Sequence, residues 1–197
     1  MRLSELSDIH SGYTARGRLV PQADGGTPAL QLRDVGASGD IPAADLQRYD
    51  LGELPDRYLA SGGEVVFRSR GEPNTAVAIP QDLPEPIAVI VPLVVIRPDR
   101  ARILPEYLAW AINQPLAQRT LAADAQGTSL RMIPMRALER LDIPVPDLHA
   151  QRRIVTLSAL AAREMQLLQD LAERRTQYMS AILHHAARTA EHKDIAR

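Results

Sequence analysis

Cysteine is missing from this sequence altogether, and lysine occurs once, at Lys193. Without thiols there is neither a disulfide framework nor a thiolate zinc site. No run of about 18 apolar residues exists, so no segment reads as a membrane-spanning helix. The most apolar stretch, Ile87 to Ile96, is interrupted by Pro92 and reads as a buried strand. The opening MRLSELSDIH lacks the apolar centre of a signal peptide. A cytoplasmic protein is expected. Strong net charge is lacking too: the formal value is −1, which argues against a sequence-blind DNA coat, since such proteins are strongly basic. Every basic residue except Lys193 is arginine. Codon composition explains this, or else a use for planar forks on phosphates and guanine edges; composition alone does not choose.

What is present is a chain of 197 residues, 45% hydrophobic, enough for one domain with a core and an appendage. Residues 1–146 read as α+β, a mixed α/β domain around a twisted sheet. An amphipathic segment, Leu3 to Ile9, meets Ser11-Gly12. Ala29 to Val35 alternates as a strand, and Gly36 to Asp40 is a turn. Ile41 to Tyr49 is ambiguous. Gly62-Gly63 leads into a strand at Glu64 to Arg68, with a hairpin loop at Ser69 to Pro73 and a return strand at Thr75 to Ile79. Ile87 to Arg97 reads as one long buried strand bent at Pro92. Pro105 to Ala123 is helical, broken at Pro115. Gly127 to Ile133 and Leu141 to Val145 are expected to complete the sheet.

From Leu148 to about Ala187 there is neither glycine nor proline, and good helix formers dominate. Asp147 is a suitable N-cap, although Ala150 stands where a capping box wants a glutamate. A helix over 147–190, with 191–197 as a frayed tail, would run about 60 Å at 1.5 Å per residue and must project from so small a domain. Ile154, Leu157, Ala161, Leu168, Leu171, Tyr178 and Ile182 recur at alternating three- and four-residue steps, the seam of a coiled-coil-type helix. Glu164 and Arg175 interrupt that seam. The simpler reading is a surface helix lying on its own domain; the length favours pairing with another chain.

No constellation for catalysis is present. There is no phosphate-binding glycine loop, no dinucleotide fingerprint and no nucleophile elbow. His185 and His192 share a helix without a carboxylate or thiolate partner at a fixed offset, so no metal site is assigned. Three polar loops stand out instead. Arg68, Ser69, Arg70 and Asn74 occupy the hairpin tip, and Arg and Asn are the side chains that read guanine and adenine edges. Gln126, Thr128, Ser129 and Arg131 form a second loop suited to phosphate. Arg16 and Arg18 lie on a third. Each is read either as an ordinary solvated loop or as part of a DNA-contacting face.

The stretch GTSLRMIPMRALERLDIPVPDLHAQRRIV, residues 127 to 155, resembles a junction in the specificity subunits of type I restriction-modification systems. The matching residues are Gly127, Thr128, Ser129, Leu138, Leu141, Ile143, Pro144, Val145, Pro146, Leu148, Gln151 and Ile154. Leu6 to Thr14, Tyr58 through Phe67 and Leu104 to Leu108 resemble further segments of that family, in its order. Three features depart from the pattern: Gly63-Glu64 replaces Gly-Asp, Ala150 replaces a glutamate, and the chain holds one recognition domain and one spacer helix where the family carries two of each. The resemblance implies a half-length, non-catalytic subunit that recognises double-stranded DNA. It would direct a methyltransferase subunit, which itself holds S-adenosylmethionine, and a restriction subunit to a bipartite target. The half would form a homodimer through antiparallel helices, or else pair with a different half or act as a methyltransferase decoy. An uncharacterised enzyme is the remote alternative.

Overall fold

The structure, a computed structural model, describes residues 1–36, 41, 45–72, 74–127 and 130–194, with side chains described as far as 185. The expected turn at Gly36 to Asp40 falls mostly outside these residues. Backbone packing divides the chain into a first unit, Met1–Val155, and a second, Thr156–Arg197.

The first unit contains two sheets. In one, β1 (Ser7–Ser11), β9 (Leu93–Pro98), β6 (Val65–Arg68) and β7 (Ala76–Ala78) run antiparallel in that order. In the other, the order is β2 (Pro21–Gln22), β4 (Arg48–Tyr49), β3 (Thr27–Leu30), β8 (Ile87–Val89) and β5 (Leu59–Ala60). There β3 and β8 are parallel, and the other pairs antiparallel. The period-two geometry of a strand explains how the layers stack. Val65 and Phe67 of β6, with Val94 and Ile96 of β9, join the helices in one core. The intervening Val66, Leu93 and Val95 join Leu30, Ile87 and Val89 of the second sheet in another. At β6 and β9 the first sheet is therefore buried on both faces, whereas its edge strand β1 is not. That is why Val65 to Phe67 and Leu93 to Ile96 read as continuous apolar runs without the polar alternation of a half-exposed strand.

The helices α1 (Pro105–Ile112) and α2 (Pro115–Ala123) each begin at a proline, whose missing N–H costs nothing in a first turn. Between them Asn113 caps α1 and turns its amide onto β7. Its Oδ1 accepts from Ala76 N and its Nδ2 donates to Ala76 O, both at 2.8 Å. A short α3 (Met135–Glu139) leads to the long helix α4 (Leu148–Asp194), whose residues to Val155 belong to the first unit. Asp147 does cap α4, accepting from Ala150 N at 2.7 Å. The helical backbone continues through Asp194, into the stretch expected to fray; residues 195–197 lie outside those described.

Three expectations need correction. Ile87 to Arg97 is not one bent strand. It is β8 and β9, in different sheets, separated by a turn that holds a cis Val91–Pro92 bond and closes with Leu93 N donating to Ile90 O. Proline has no ladder donor, so the strand ends there. Leu141 to Val145 is not a strand either. It meets the N-terminus through one isolated bridge, Arg2 to Asp142, and through the Met1 ammonium on Ile143 O at 3.1 Å. Pro144 and Pro146 remove the donors at the end of the segment, while Leu141 and Ile143 supply buried core. In the expected strand Gly127 to Ile133, the described residues form isolated bridges from Met132, to Gln126 and to Arg70, and no strand. Elsewhere the expected amphipathic segment splits into a 3-10 turn, Leu3–Glu5, and β1, while β3 stops at Leu30 before a 3-10 turn at Leu32–Asp34.

Two local devices hold this arrangement. Gly12 lies against the β8–β9 turn so closely that a Cβ there would stand 2.7 Å from Val89 O and 2.9 Å from Leu93 O. Gln151, in the first turns of α4, is fully buried. Its Oε1 accepts from Leu104 N at 2.8 Å, and its Nε2 donates to Arg102 O at 2.9 Å and Pro146 O at 2.8 Å. One side chain thus satisfies three backbone groups at the point where strand-rich chain becomes helix.

Candidate nucleic-acid interface

The hairpin between β6 and β7 and the loop after α2 are far apart in sequence, yet the backbone joins them. Arg70 and Met132 form an antiparallel bridge, Gly71 N donates to Arg131 O at 3.1 Å, and Ile133 N donates to Ser69 O at 2.8 Å. Gly71 has φ +80°, so the clasp turns through the left-handed region that L side chains avoid. Gln118 of α2 braces the same loop by donating to Asn74 O at 2.9 Å. Between clasp and sheet lies a cleft of about 320 Å³, walled by Val91, Pro92, Val94, Met132, Ile133 and Met135, with Arg70 and Ser69 on its lining.

This geometry sorts the candidate side chains. Ser69 is buried and its hydroxyl donates to Pro92 O, so it latches the loop from within. Asn74 is half-buried and one N–H of its amide donates to Arg68 O at 3.1 Å, which ties the side chain to the loop and leaves its second N–H and its carbonyl oxygen. Arg68 is half-buried too, its Nη1 on Val35 O and its Nε on Arg70 O, both at 3.3 Å. Three residues of the hairpin tip therefore build the loop.

The remainder face outward. Arg70 is exposed, and no hydrogen bond or ion pair engages its guanidinium among the described residues. Arg131 is exposed with one nitrogen on Ala122 O at 2.8 Å, leaving the rest of its fork available. Gln126 is exposed, its backbone paired twice with Met132. Thr128 and Ser129 lie outside the described residues. Arg136, which the sequence pattern did not single out, is exposed on α3 one residue beyond the cleft wall at Met135. Its only signal was a polar position in an amphipathic turn. Two acids stand nearby: Asp124 is neutralised by Arg140 at 3.2 Å, whereas Glu72 at the tip is exposed.

Arg16 and Arg18 are exposed on the segment after Tyr13. Tyr13 O accepts from Val91 N, and Val91 lines the cleft. The root of this loop is thus beside the clasp, but among the described residues no hydrogen bond or ion pair joins Arg16 or Arg18 to it. Away from the clasp, the Arg48 guanidinium holds the Glu85 carboxyl below the usual carboxylate range by a hydrogen bond, in a 2.6 Å ion pair that ties the Gly25-Gly26 turn to the loop before β8. Burial raises the Tyr107 hydroxyl, which donates to Pro144 O. Among the described residues no group of three metal-ligating side chains gathers, and no helix is long and apolar enough to cross a membrane.

The fold of this chain also occurs in solved structures. The HsdS subunit from Thermoanaerobacter tengcongensis matches with a TM-score of 0.63 and 22% identity, over 91% of this chain and 46% of that one. The chain has the fold of a type I specificity subunit. An S subunit from M. genitalium gives a TM-score of 0.56 at 14% identity, over 88% of this chain and 41% of that one. A structure concerned with complex assembly and conformational transition of a type I restriction-modification system gives 0.62 at 19%, over 85% and 39%. This chain therefore spans less than half the length of the specificity-subunit structures it matches. No protein-family model and no curated protein matches the sequence itself.

On the second unit, the expected seam residues Leu157, Ala161, Leu168, Leu171, Tyr178 and Ile182 are all exposed, with Leu171 at 63% and Tyr178 at 66%. Ile154 differs. It is half-buried and packs, with Val155, against the helix-side core of the first unit. The free seam thus starts at Leu157.

Proposed function

We propose that this chain is a non-catalytic, sequence-specific DNA-recognition subunit of a cytoplasmic type I restriction-modification system. The observation that supports it most is the likeness of fold to specificity subunits over 85–91% of the chain. Residues 1–146 act as the target-recognition domain, and 147–190 as the spacer and dimerisation helix. Arg70, Arg131 and Gln126 face double-stranded DNA from the clasp, with Arg16 and Arg18 on the flanking loop. Exposed arginine forks on a backbone fixed by hydrogen bonds suit base edges and phosphates, because the geometry is set before the partner arrives.

The chain works as a half-subunit. Two copies paired through α4 present identical domains about a two-fold axis, so the target is an interrupted palindrome. The methyl transfer, with its S-adenosylmethionine, belongs to a separate methyltransferase subunit that this chain directs, and cleavage belongs to a restriction subunit. A map of methylated bases in the native host, with and without the gene, tests the reading. Loss of methylation at one interrupted palindrome on deletion supports it. Loss at an asymmetric interrupted motif replaces the homodimer with a mixed pair of halves. An unchanged map removes the recognition role.

A further inference from the structure

Two features of α4 are left without a purpose by pairing alone. Glu164 and Arg175 stand in the middle of an apolar stripe, both are exposed, and neither has a hydrogen bond or ion pair among the described residues. At about 100° per residue, the eleven-residue step from one to the other makes close to three turns, so the two charges lie on one line along the helix. That line is flanked by exposed Leu157, Leu160, Leu168, Leu171, Tyr178 and Ile182. A contiguous exposed stripe of this kind marks an interaction surface. The opposite face carries the helix's own polar bond, Gln166 to Asp170 at 2.8 Å.

From these positions we infer that α4 pairs with a second copy of itself antiparallel, in one register, centred between Gln169 and Asp170 and selected by a reciprocal Glu164–Arg175 pair. The inference rests on the homodimer reading above, whose antiparallel direction the family resemblance already implies, and adds the register and the charge pair that selects it. About that centre every seam position finds a sensible partner. Leu168 meets Leu171, Leu157 meets Ile182, and small Ala161 meets large Tyr178. Glu164 meets Arg175, and by symmetry each pair occurs twice. Sliding one copy by a heptad sets Glu164 against Leu168 and Arg175 against Leu157. Sliding it the other way sets them against Ile182 and Leu171. A parallel pair sets Glu164 on Glu164 and Arg175 on Arg175. Each alternative leaves charges at the seam unpaired or facing their like, which costs far more than the matched pair contributes. The two charges therefore act as a register key, the role polar seam residues perform in coiled coils.

The chain has no cysteine, so the register is open to disulfide mapping. In the full-length chain, Ala161→Cys and Tyr178→Cys are made separately; both positions are exposed, so the monomer's own packing is untouched. Mixed in equal amounts, exchanged and oxidised, the two variants should give a disulfide-linked dimer, while each alone gives little. Residue 161 lies about 25 Å from its own symmetry mate in this register at 1.5 Å per residue, beyond any disulfide. Glu164→Arg and Arg175→Glu should each weaken the dimer at least tenfold in sedimentation, and their mixture should recover wild-type affinity, because the mixed pair restores both opposite-charge contacts. Crosslinking by either cysteine variant alone overturns the antiparallel direction. A wild-type dimer whose mixture fails to crosslink overturns the register and leaves the homodimer standing. A wild-type chain that stays monomeric overturns the homodimer reading, and this inference with it.

Discussion

At the residue scale, hydroxyls and amides that look free in the sequence turn out to hold the backbone. Ser69 sits in a polar loop between two arginines, and its acceptor, Pro92 O, is 23 residues away. Nothing local announces that partner, so the sequence offers Ser69 and Arg70 as equivalent. The structure separates them, and substitution should too. Ser69→Ala is expected to lower stability by about 1 kcal/mol, the net worth of one buried hydrogen bond, on a urea melt. Arg70→Ala should leave the melt unchanged and weaken DNA binding by about 1–3 kcal/mol if it reads a base, in a titration at fixed salt. Gln151 shows the same division. It was legible as a matching position in a family-like stretch, but its three backbone partners were not. Gln151→Leu should destabilise the fold by about 1–3 kcal/mol for each group left unpaired. The Arg48–Glu85 pair supplies a pH signature. The Glu85 carboxyl titrates lower in the folded chain than in the unfolded one, so its contribution is present above the unfolded value and lost as pH falls through the folded one. The acid limb of the stability curve should be shallower in Glu85→Gln.

At the element scale, punctuation by proline decided what could be read. Pro105 and Pro115 mark the starts of α1 and α2, because a first helical turn has no use for the missing N–H. Pro92 was visible as an interruption, but whether a proline bends a strand or ends it depends on what lies across the ladder. Here the two sides belong to different sheets. Leu141 to Val145 misled for the related reason that apolar residues alternating with prolines imitate strand periodicity while lacking strand donors. The helix α4 was legible nearly throughout, since absence of glycine and proline over such a length leaves no competing structure. What the pattern did not reveal was that Ile154 packs on the core of the first unit while Leu157 is exposed. Replacing both Leu168 and Leu171 with glutamate should give a monomeric mass in solution. The helical content of the monomer should be largely kept, because in the single chain both side chains face solvent.

At the scale of the whole molecule, an arginine-bearing clasp and a self-complementary helix would place two reading heads in one symmetric object. Affinity for its site should then fall as salt rises, by an amount that tracks the phosphates contacted, and Arg131→Ala should reduce that slope if its fork grips a phosphate. The bound site should protect two separated half-sites in a footprint, and a single half-site should bind far more weakly. One detail bears on how the chain avoids the wrong kind of assembly. The outermost strand of the first sheet, β7, is three residues long, and the Asn113 amide takes both the N–H and the carbonyl of Ala76. An open strand edge is a template on which other chains polymerise, and here a side chain imitates the next strand and stops the series. Asn113→Ala would uncover that template, and the expected symptom is a drift toward fibrillar aggregates on storage, seen by light scattering, in a protein whose DNA affinity when freshly prepared is unaltered.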